Sequence, residues 1–580
     1  MKRYEIVKNG KSPFHIVGAN LSSAAERHAA SELQKYIYES TNVLVPYFSD
    51  RCERRGAEII IGYTTRDGKD RITPEELSAL GEEGFIIRGS GEDIIISGAT
   101  PRGTLYGVYR FLEIYLGFRA FTKDVEKIDK LFELIIEEPN VTETPDFEYR
   151  DAYFRFAFDS GFASKNRLNS TLAELSELRG GGMKFFNCHH SFDDLVPPKL
   201  YFEDHPEYYS EIQGKRSPRQ LCLSNDTTLE IATETVRRWI KENPLCRVFS
   251  VAQNDNGDFC SCEKCRAFDE AEGSSSASVI RFVNKIAENI EKDYPNVLIH
   301  TFAYMHTRKP PKTVKPKKNV IVRLCTFECQ WSDPLEVIAE REPESVSRAF
   351  LSDLSGWAKI CDRLYIWDYV VNFRQYLQPF PVFYTMAENI RLYRRIGVRG
   401  ALMQGNFSYG GGAAMDELKS YIIARLLWNA DEDVDTLIKE FTDGVFGRGA
   451  KYIREYLSTI SSATKGYFMR IYDYPDAPYL SDELIKKCDE LFRLAEESER
   501  GECKRRIERE HLSIKYLLAA RLEDDSERSA AIDALEAEIR DHKLTEIMER
   551  TNLDDSFAYL KRSRYGYDRE GRYNMYYIIR

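Results

Sequence analysis

Between Tyr149 and Phe407 the chain carries a series of short, continuous apolar runs, each breaking off in polar residues. A run that does not alternate with polar residues has no solvent face. It reads as a strand covered on both sides, the condition of parallel strands flanked by helices. Eight such runs occur: Tyr149–Arg155, Met183–His189, Gln220–Ser224, Val248–Gln253, Val297–Phe302, Val320–Cys325, Arg363–Trp367 and Gly400–Gln404. Segments with helical apolar spacing, such as Thr227–Lys241 and Ala277–Glu291, lie between them. Eight strand–helix units in about 260 residues predict an α/β fold built on a (β/α)8 TIM barrel over 144–410.

The flanks read differently. Residues 1–143 predict a small α/β domain. Ala25–Glu39 has helical spacing, and Ala57–Gly62, Gly84–Arg88 and Asp93–Gly98 are short strands. Gly103 and Gly107 open a further helix and permit close helix–sheet packing; they lack the spacing of a dinucleotide loop. A Pro- and Thr-containing linker, Glu138–Pro145, ends this part. From 411 to 580 strand signals stop, and helices are predicted over Glu417–Trp428, Thr436–Thr442, Ala450–Thr464, Asp482–Glu499 and Arg505–Ala520.

A chain of 580 residues is too long for one core, so several domains are expected. The net charge of −11 supplies no basic excess to displace counterions, which argues against nucleic acid as a partner. No run of 18 apolar residues is present, so no membrane span is expected. Met1-Lys2-Arg3-Tyr4-Glu5 leads straight into a strand-like segment with no apolar core of a signal peptide. The expectation is a cytoplasmic protein, or a secreted one if a leader has been removed. On that reading the twelve cysteines are thiols, not a disulfide framework.

In a barrel of this kind the chemistry sits at the C-terminal strand ends. Here those ends read Asn187-Cys188-His189-His190, Gln253-Asn254-Asp255-Asn256, Thr326-Phe327-Glu328 running on to Trp331, Trp367-Asp368-Tyr369 with Asn372, and Gln404-Gly405-Asn406. Amides, carboxylates and histidines hydrogen-bond hydroxyl groups, and aromatic rings supply flat apolar walls, a combination suited to a polyhydroxylated ligand. The substrate-binding candidates are His189, His190, Gln253, Asn254, Trp331, Trp367, Tyr369, Asn372, Gln404 and Asn406. Glycosidic cleavage uses two carboxyl groups, and Asp255, Glu328 and Asp368 are the strand-end candidates. Each acid taken alone can equally be a loop residue that binds a backbone N–H.

Such chemistry needs no catalytic cofactor. One metal candidate stands apart from it. Cys260, Cys262 and Cys265 form a C-x-C-x-x-C cluster that could hold a structural zinc, with a fourth ligand from elsewhere, Cys222 or a histidine. The other reading is a loop of free thiols or a local disulfide.

Ser250-Val251-Ala252-Gln253-Asn254-Asp255 followed by Cys260–Cys265 resembles the signature of a bacterial family catalogued as domain of unknown function 4838, later placed among glycoside hydrolases as family 163. Ile321–Cys325 with Glu328-Cys329, Leu364–Tyr369, Gln404-Gly405-Asn406 and Leu426–Asn429 match as well. The N-terminal part resembles the small α/β domain that precedes the barrel in hexosaminidases and α-glucuronidases. The resemblance implies an endo-β-N-acetylglucosaminidase acting on N-glycan oligosaccharides, with Glu328 as general acid/base and Asp368 or Asp255 as its partner, or with the substrate's own acetamido oxygen as nucleophile. Relatives often carry a glutamate just before the Gln-Gly-Asn element, where this chain has Met403.

Two other readings stay open. An exo-glycosidase of the α-glucuronidase type would need a cation for the uronate, and Arg374 is the nearest candidate. A catalytically silent carbohydrate-binding protein would keep the cleft without the acid.

Overall fold

A computed structural model describes residues 2–66, 72–407, 410 and 412–562. Residues 563–580 of the expected C-terminal region lie outside the described residues. The chain divides into two compact units, Met1–Gly182 with Glu417–Ala450, and Met183–Asp416 with Lys451–Arg580.

The first unit contains strands β1 (Arg3–Val7), β2 (Phe14–Gly18), β3 (Tyr47–Ser49), β4 (Ala57–Ile61), β5 (Phe85–Ser90), β6 (Asp93–Gly98), β7 (Arg119–Ala120), β8 (Glu126–Lys127), β9 (Leu134–Glu137), β10 (Asn140–Glu143) and β11 (Tyr149–Tyr153). Its main sheet runs β10-β5-β6-β4-β2-β3. The β3-β2-β4-β6 strands are parallel, and β5 and β10 add on antiparallel. Helices Ala24–Thr41 and Pro101–Tyr115 join one core with the sheet, through Leu33, Tyr36, Val108 and Leu112 against Ile16, Ile59 and Ile94. The first helix starts at a capping box, Ser23 with Glu26, which satisfies two otherwise orphaned N–H groups. The expected close packing at glycine is found: a Cβ on Gly103 would stand 2.6 Å from the Gly84 carbonyl oxygen, and one on Gly107 2.9 Å from Ile96.

This unit also buries a charge cluster. Glu113 takes two hydrogen bonds of 2.7 Å from Arg167 and one of 2.8 Å from Arg425. Burial alone would raise the Glu113 carboxyl, but Arg167 and Arg425 outweigh it and hold the group at about 2.

The second unit holds β12 (Phe185–Phe186), β13 (Tyr209–Ile212), β14 (Lys215–Leu221), β15 (Val248–Ser250), β16 (Leu298–Ala303), β17 (Val320–Cys325), β18 (Leu364–Tyr369) and β19 (Gly400–Gln404). Strands β12-β15-β16-β17-β18-β19 lie side by side, every neighbour parallel, as a half-barrel sheet. Helices such as Asp226–Glu242, Ser276–Glu291, Val346–Ile360 and Phe383–Ile396 intervene. These strands take up six of the expected apolar runs, and the run from Tyr149 forms β11 in the first unit.

The run Gln220–Ser224 is a correction. Its first two residues close β14, which pairs antiparallel with β13 in a separate hairpin. Gln213 and Gly214, at φ 51° and 78°, make the tight turn that reverses the chain between Ile212 and Lys215. Two consecutive left-handed residues match the twist of an antiparallel pair and forbid a parallel crossover there.

The predicted late helices form as Asp416–Trp428, Val434–Phe446, Ala450–Ala463, Asp482–Ser498 and Gly501–Ala520, and Asp525–Asp541 and Leu553–Arg562 follow. No helix of the described residues is long and apolar enough to cross a membrane.

Candidate active site

Side-chain alternation along the parallel strands sorts the rim candidates onto two faces. One face carries a column of aromatic and cationic groups. Phe302 packs on Trp367 with ring centroids 5.7 Å apart and on His300 at 4.9 Å. The buried Arg323 guanidinium lies 5.0 Å from the Phe185 ring centre and 5.5 Å from that of Trp367, a cation–aromatic contact in a dry setting. Trp367 Nε1 donates to Gln404 Oε1 at 2.7 Å. Tyr369, two residues on from Trp367, packs against Phe327 and Phe373.

Asp368 falls on the other face. It is 2% exposed and accepts from Thr326 Oγ1 (2.7 Å), Trp331 Nε1 (3.1 Å) and its neighbour's backbone Tyr369 N (2.8 Å) through Oδ1, and from Tyr393 (2.8 Å) through Oδ2. Tyr393 belongs to helix Phe383–Ile396, so this carboxylate ties sheet to helix. Burial raises its proton affinity, and the four donors work against that. Met403 is the register partner of Asp368 and is fully buried. It shares the helix-facing side, so the methionine takes no acid from the aromatic face.

Asp255 is the accessible acid, its side chain 56% exposed. Tyr304 donates its hydroxyl to Asp255 Oδ1 at 3.2 Å, and His190 Nε2 lies 3.8 Å from the same oxygen. His190 Nδ1 sits 2.5 Å from the Gln253 carbonyl oxygen. A carbonyl only accepts, so Nδ1 carries the proton and the neutral ring turns its bare Nε2 toward Asp255. Burial pushes the His190 imidazole down, and the Asp255 charge opposes it. Burial also pushes His189 down to about 4; a proton on His190 would act the same way, as do the charges of Arg323 and Arg550. Both rings are therefore neutral at pH 7.

Glu328 is engaged elsewhere. Arg308 Nη1 donates to Glu328 Oε2 at 2.5 Å, and Arg308 Nε donates to Asp353 on helix Val346–Ile360 at 2.8 Å.

Several expected sugar contacts also hold the loops. Gln253 gives Nε2 to the Tyr304 carbonyl (3.1 Å) and takes a bond from Thr307 Oγ1 (2.7 Å). Asn254 Nδ2 donates to Asp193 Oδ1 and to the Arg219 carbonyl, both at 2.8 Å. Asn372 Nδ2 donates to the Asp473 carbonyl at 2.9 Å. Trp331 is 3% exposed and Asn406 1% exposed; the Asn406 amide oxygen has no hydrogen-bond partner among the described residues. Arg374 lies 3.7 Å from the Tyr474 ring centre and donates to the Tyr472 carbonyl at 3.1 Å.

Four rim residues lie outside the sequence reading. Tyr304 follows β16, a strand whose polar end was not read as functional. Tyr472, Glu549 and Arg550 come from the C-terminal part. Backbone bonds place its segments against the loop that follows β18: Phe373 N donates to Ile471 O at 2.6 Å and Tyr376 N to Ile547 O at 2.8 Å. The Glu549 carboxyl is raised by burial and, more weakly, by the Asp255 charge, while Arg550 pulls it down. No sequence signal marked the turn at Glu549, between helices Asp525–Asp541 and Leu553–Arg562, as electrostatically linked to Asp255.

Behind the Asp255 loop lie four buried thiols, Cys222, Cys260, Cys262 and Cys265, their sulfurs all within 4.8 Å of one another. All twelve cysteines are free. A cavity beside the cluster is lined by Gln220, Gln253, Phe259, Asp269 and His306 among others, but by none of Asp255, Glu328 and Asp368. Burial raises Asp269 to about 6.

The profile of the family described as "Domain of unknown function (DUF4838)" matches residues 121–458. That of "Glycosyl hydrolase family 67 N-terminus" matches residues 3–111. No curated protein matches the sequence. Among solved structures, a family GH115 4-O-methyl-α-glucuronidase, BtGH115A, with specificity for decorated arabinogalactans, overlies 92% of this chain and 77% of its own, at 11% identity and TM-score 0.55. At that identity the likeness concerns the fold. CpGH84D overlies 97% of each chain at 10% identity and TM-score 0.48. A mutant Streptomyces plicatus β-hexosaminidase in complex with GlcNAc overlies 76% of this chain and 90% of its own at 11% identity and TM-score 0.42.

Proposed function

This chain belongs to the DUF4838 family, and we propose that it is a glycoside hydrolase acting on N-acetylglucosamine-containing oligosaccharides of the N-glycan type. The observation that carries the reading is the Asp255 constellation: an open carboxylate at a parallel strand end, hydrogen-bonded by Tyr304, beside two neutral histidines and next to the aromatic face of Trp367 and Tyr369. Such a rim binds a polyhydroxylated ring and holds an acid against it. The sequence motifs around Gln253, Cys260–Cys265 and Gln404 support the substrate class. In this reading the half-barrel of six parallel strands is the core of a TIM-barrel-like catalytic part. The chain comprises an N-terminal α/β domain (1–143), the barrel (144–410) and a helical region (411–580), and catalysis needs no cofactor.

The reacting carboxyl is Asp255. Its partner is Glu549, which burial keeps protonated more readily, so the two acids sit in unlike environments. One carboxylate then attacks or orients the acetamido group while the other protonates the leaving oxygen. Asp368 is a positioning residue that orders Trp331 and the β18 end. Glu328→Gln separates this scheme from one in which Glu328 is the general acid. Here Glu328 serves Arg308, and the variant loses less than about tenfold in kcat; a loss of about 10²–10⁴-fold returns the acid/base role to Glu328.

A second reading, a glucuronidase-like exo-enzyme, draws on the match of residues 3–111 and on the Arg550 charge beside His189 and His190. Assaying aryl glucuronides alongside aryl β-N-acetylglucosaminides and N-glycan fragments decides between the two. Turnover confined to the glucuronides overturns the first.

A further inference from the structure

We propose that Cys222, Cys260, Cys262 and Cys265 form a tetrathiolate zinc site that pins the Asp255 loop to the β13–β14 hairpin. The four thiols are buried against one another as one cluster. The other buried cysteines, such as Cys325 and Cys488, stand outside it. Four zinc–sulfur bonds of about 2.3 Å at tetrahedral angles place sulfurs about 3.8 Å apart. The Cys222 and Cys262 sulfurs are 3.8 Å apart, and all four fall within 4.8 Å of each other. A disulfide would need two sulfurs at about 2.05 Å.

The surroundings suit a doubly negative centre. The Glu211 backbone N–H donates to Cys260 Sγ at 3.3 Å. Ser224 Oγ lies 3.5 Å from Cys222 Sγ and 3.6 Å from Cys262 Sγ. The Arg216 guanidinium places a positive charge near Cys222 and Cys260. Outer hydrogen bonds of this sort orient thiolates and spread their charge. Four protein sulfurs leave no open coordination position, so the site is structural in type, and an all-thiolate tetrahedral set selects a soft ion.

The ligands come from two segments that the fold also ties together. Cys222 follows β14; Cys260 and Cys262 lead into helix Glu263–Glu272, and Cys265 stands in its first turn. Gln220 Nε2 donates to the Asn254 carbonyl and to Asn256 Oδ1, both at 3.0 Å, and Asn254 N donates back to Gln220 Oε1 at 3.0 Å. Arg219 pairs with Asp258. A metal at the base of this loop would fix the backbone on which Asp255 stands. The site does not rest on the glycosidase reading, because the ion is counted without a substrate.

The test is elemental analysis of the full chain purified under reducing conditions without added metal. The expected content is about one zinc per chain. Exchange into cobalt(II) should give the visible d–d bands and sulfur-to-cobalt charge transfer of a tetrahedral thiolate site. The double variant Cys260→Ser/Cys265→Ser should lose the zinc, while Cys503→Ser, away from the cluster, keeps it. Wild-type chain with no zinc, with iron in its place, or without the cobalt–thiolate bands would overturn the proposal, as would full zinc retention by the double variant. If the double variant does not fold, the wild-type zinc content and cobalt spectrum decide alone.

Discussion

Asp255→Asn is expected to lower kcat by about 10²–10⁴-fold, the usual contribution of a carboxyl that transfers a proton or orients a nucleophile. The fold should hardly notice. The side chain is 56% exposed, and its neutral isostere still accepts the 3.2 Å bond from Tyr304, so the thermal midpoint should stay within about 2 °C. KM should change little, because the group acts in the transition state and not in ground-state binding. Steady-state kinetics and a melting curve on the same preparation give both numbers. A proportionate loss of stability would mean that the residue is structural. Tyr304→Phe should reproduce part of the kinetic loss, since it removes only the donor.

Glu113→Gln should act the other way, on stability. The glutamate is fully buried between Arg167 and Arg425. Removing its charge leaves two guanidinium groups facing each other in the interior, and breaking a buried ion pair of this kind costs about 3–5 kcal/mol. The pH dependence carries the same signature. The folded-state value of about 2 lies below the ordinary carboxylate range. The stabilisation, about 3 kcal/mol by linkage, is therefore complete above that ordinary range and is lost as the pH falls toward 2. Urea unfolding at pH 7 and at pH 3 should show wild type losing more stability than Glu113→Gln, by about 2 kcal/mol, the part of the increment already gone one pH unit above the folded-state value. Trp428 is the one tryptophan of residues 1–182 and 417–450 and lies 5.0 Å from the Arg167 guanidinium, so its fluorescence follows this unit. Equal pH slopes for the two proteins would show that Glu113 does not carry the pH-dependent stabilisation.

Much of the fold could be read from the chain because hydrophobic pattern is a local property. The runs at Val248, Val297, Val320, Arg363 and Gly400 became strands because continuous apolar sequence has nowhere to go but between two covering layers. Gln220–Ser224 failed because three apolar residues after a Gln-Gly turn satisfy a hairpin as readily as a barrel strand, and the deciding signal lay upstream at Gln213-Gly214. The site was harder to read for a related reason. Sequence order gives strand ends but not which face a residue takes once the strand has stopped. Asp255 and Asp368 look alike in the chain. One is open to solvent, and the other is sealed beneath Tyr393 by a shift of one residue along β18. Glu549 was invisible because nothing local to the turn between helices Asp525–Asp541 and Leu553–Arg562 reveals that it feels the charge of Asp255, more than 290 positions earlier in the chain. The thiol cluster is half legible: three cysteines share one motif, and the fourth, Cys222, follows the β13–β14 hairpin, within a run whose apolar pattern predicts a barrel strand.

The most direct test of the account is product analysis with wild-type and Asp255→Asn chains on N-glycan fragments and aryl β-N-acetylglucosaminides. The account predicts that wild type releases a reducing oligosaccharide or the aryl alcohol, and that Asp255→Asn, folded and of equal thermal midpoint, releases it at least about a hundredfold more slowly. Equal release by both proteins, or binding of the glycans with no release by either, would contradict it.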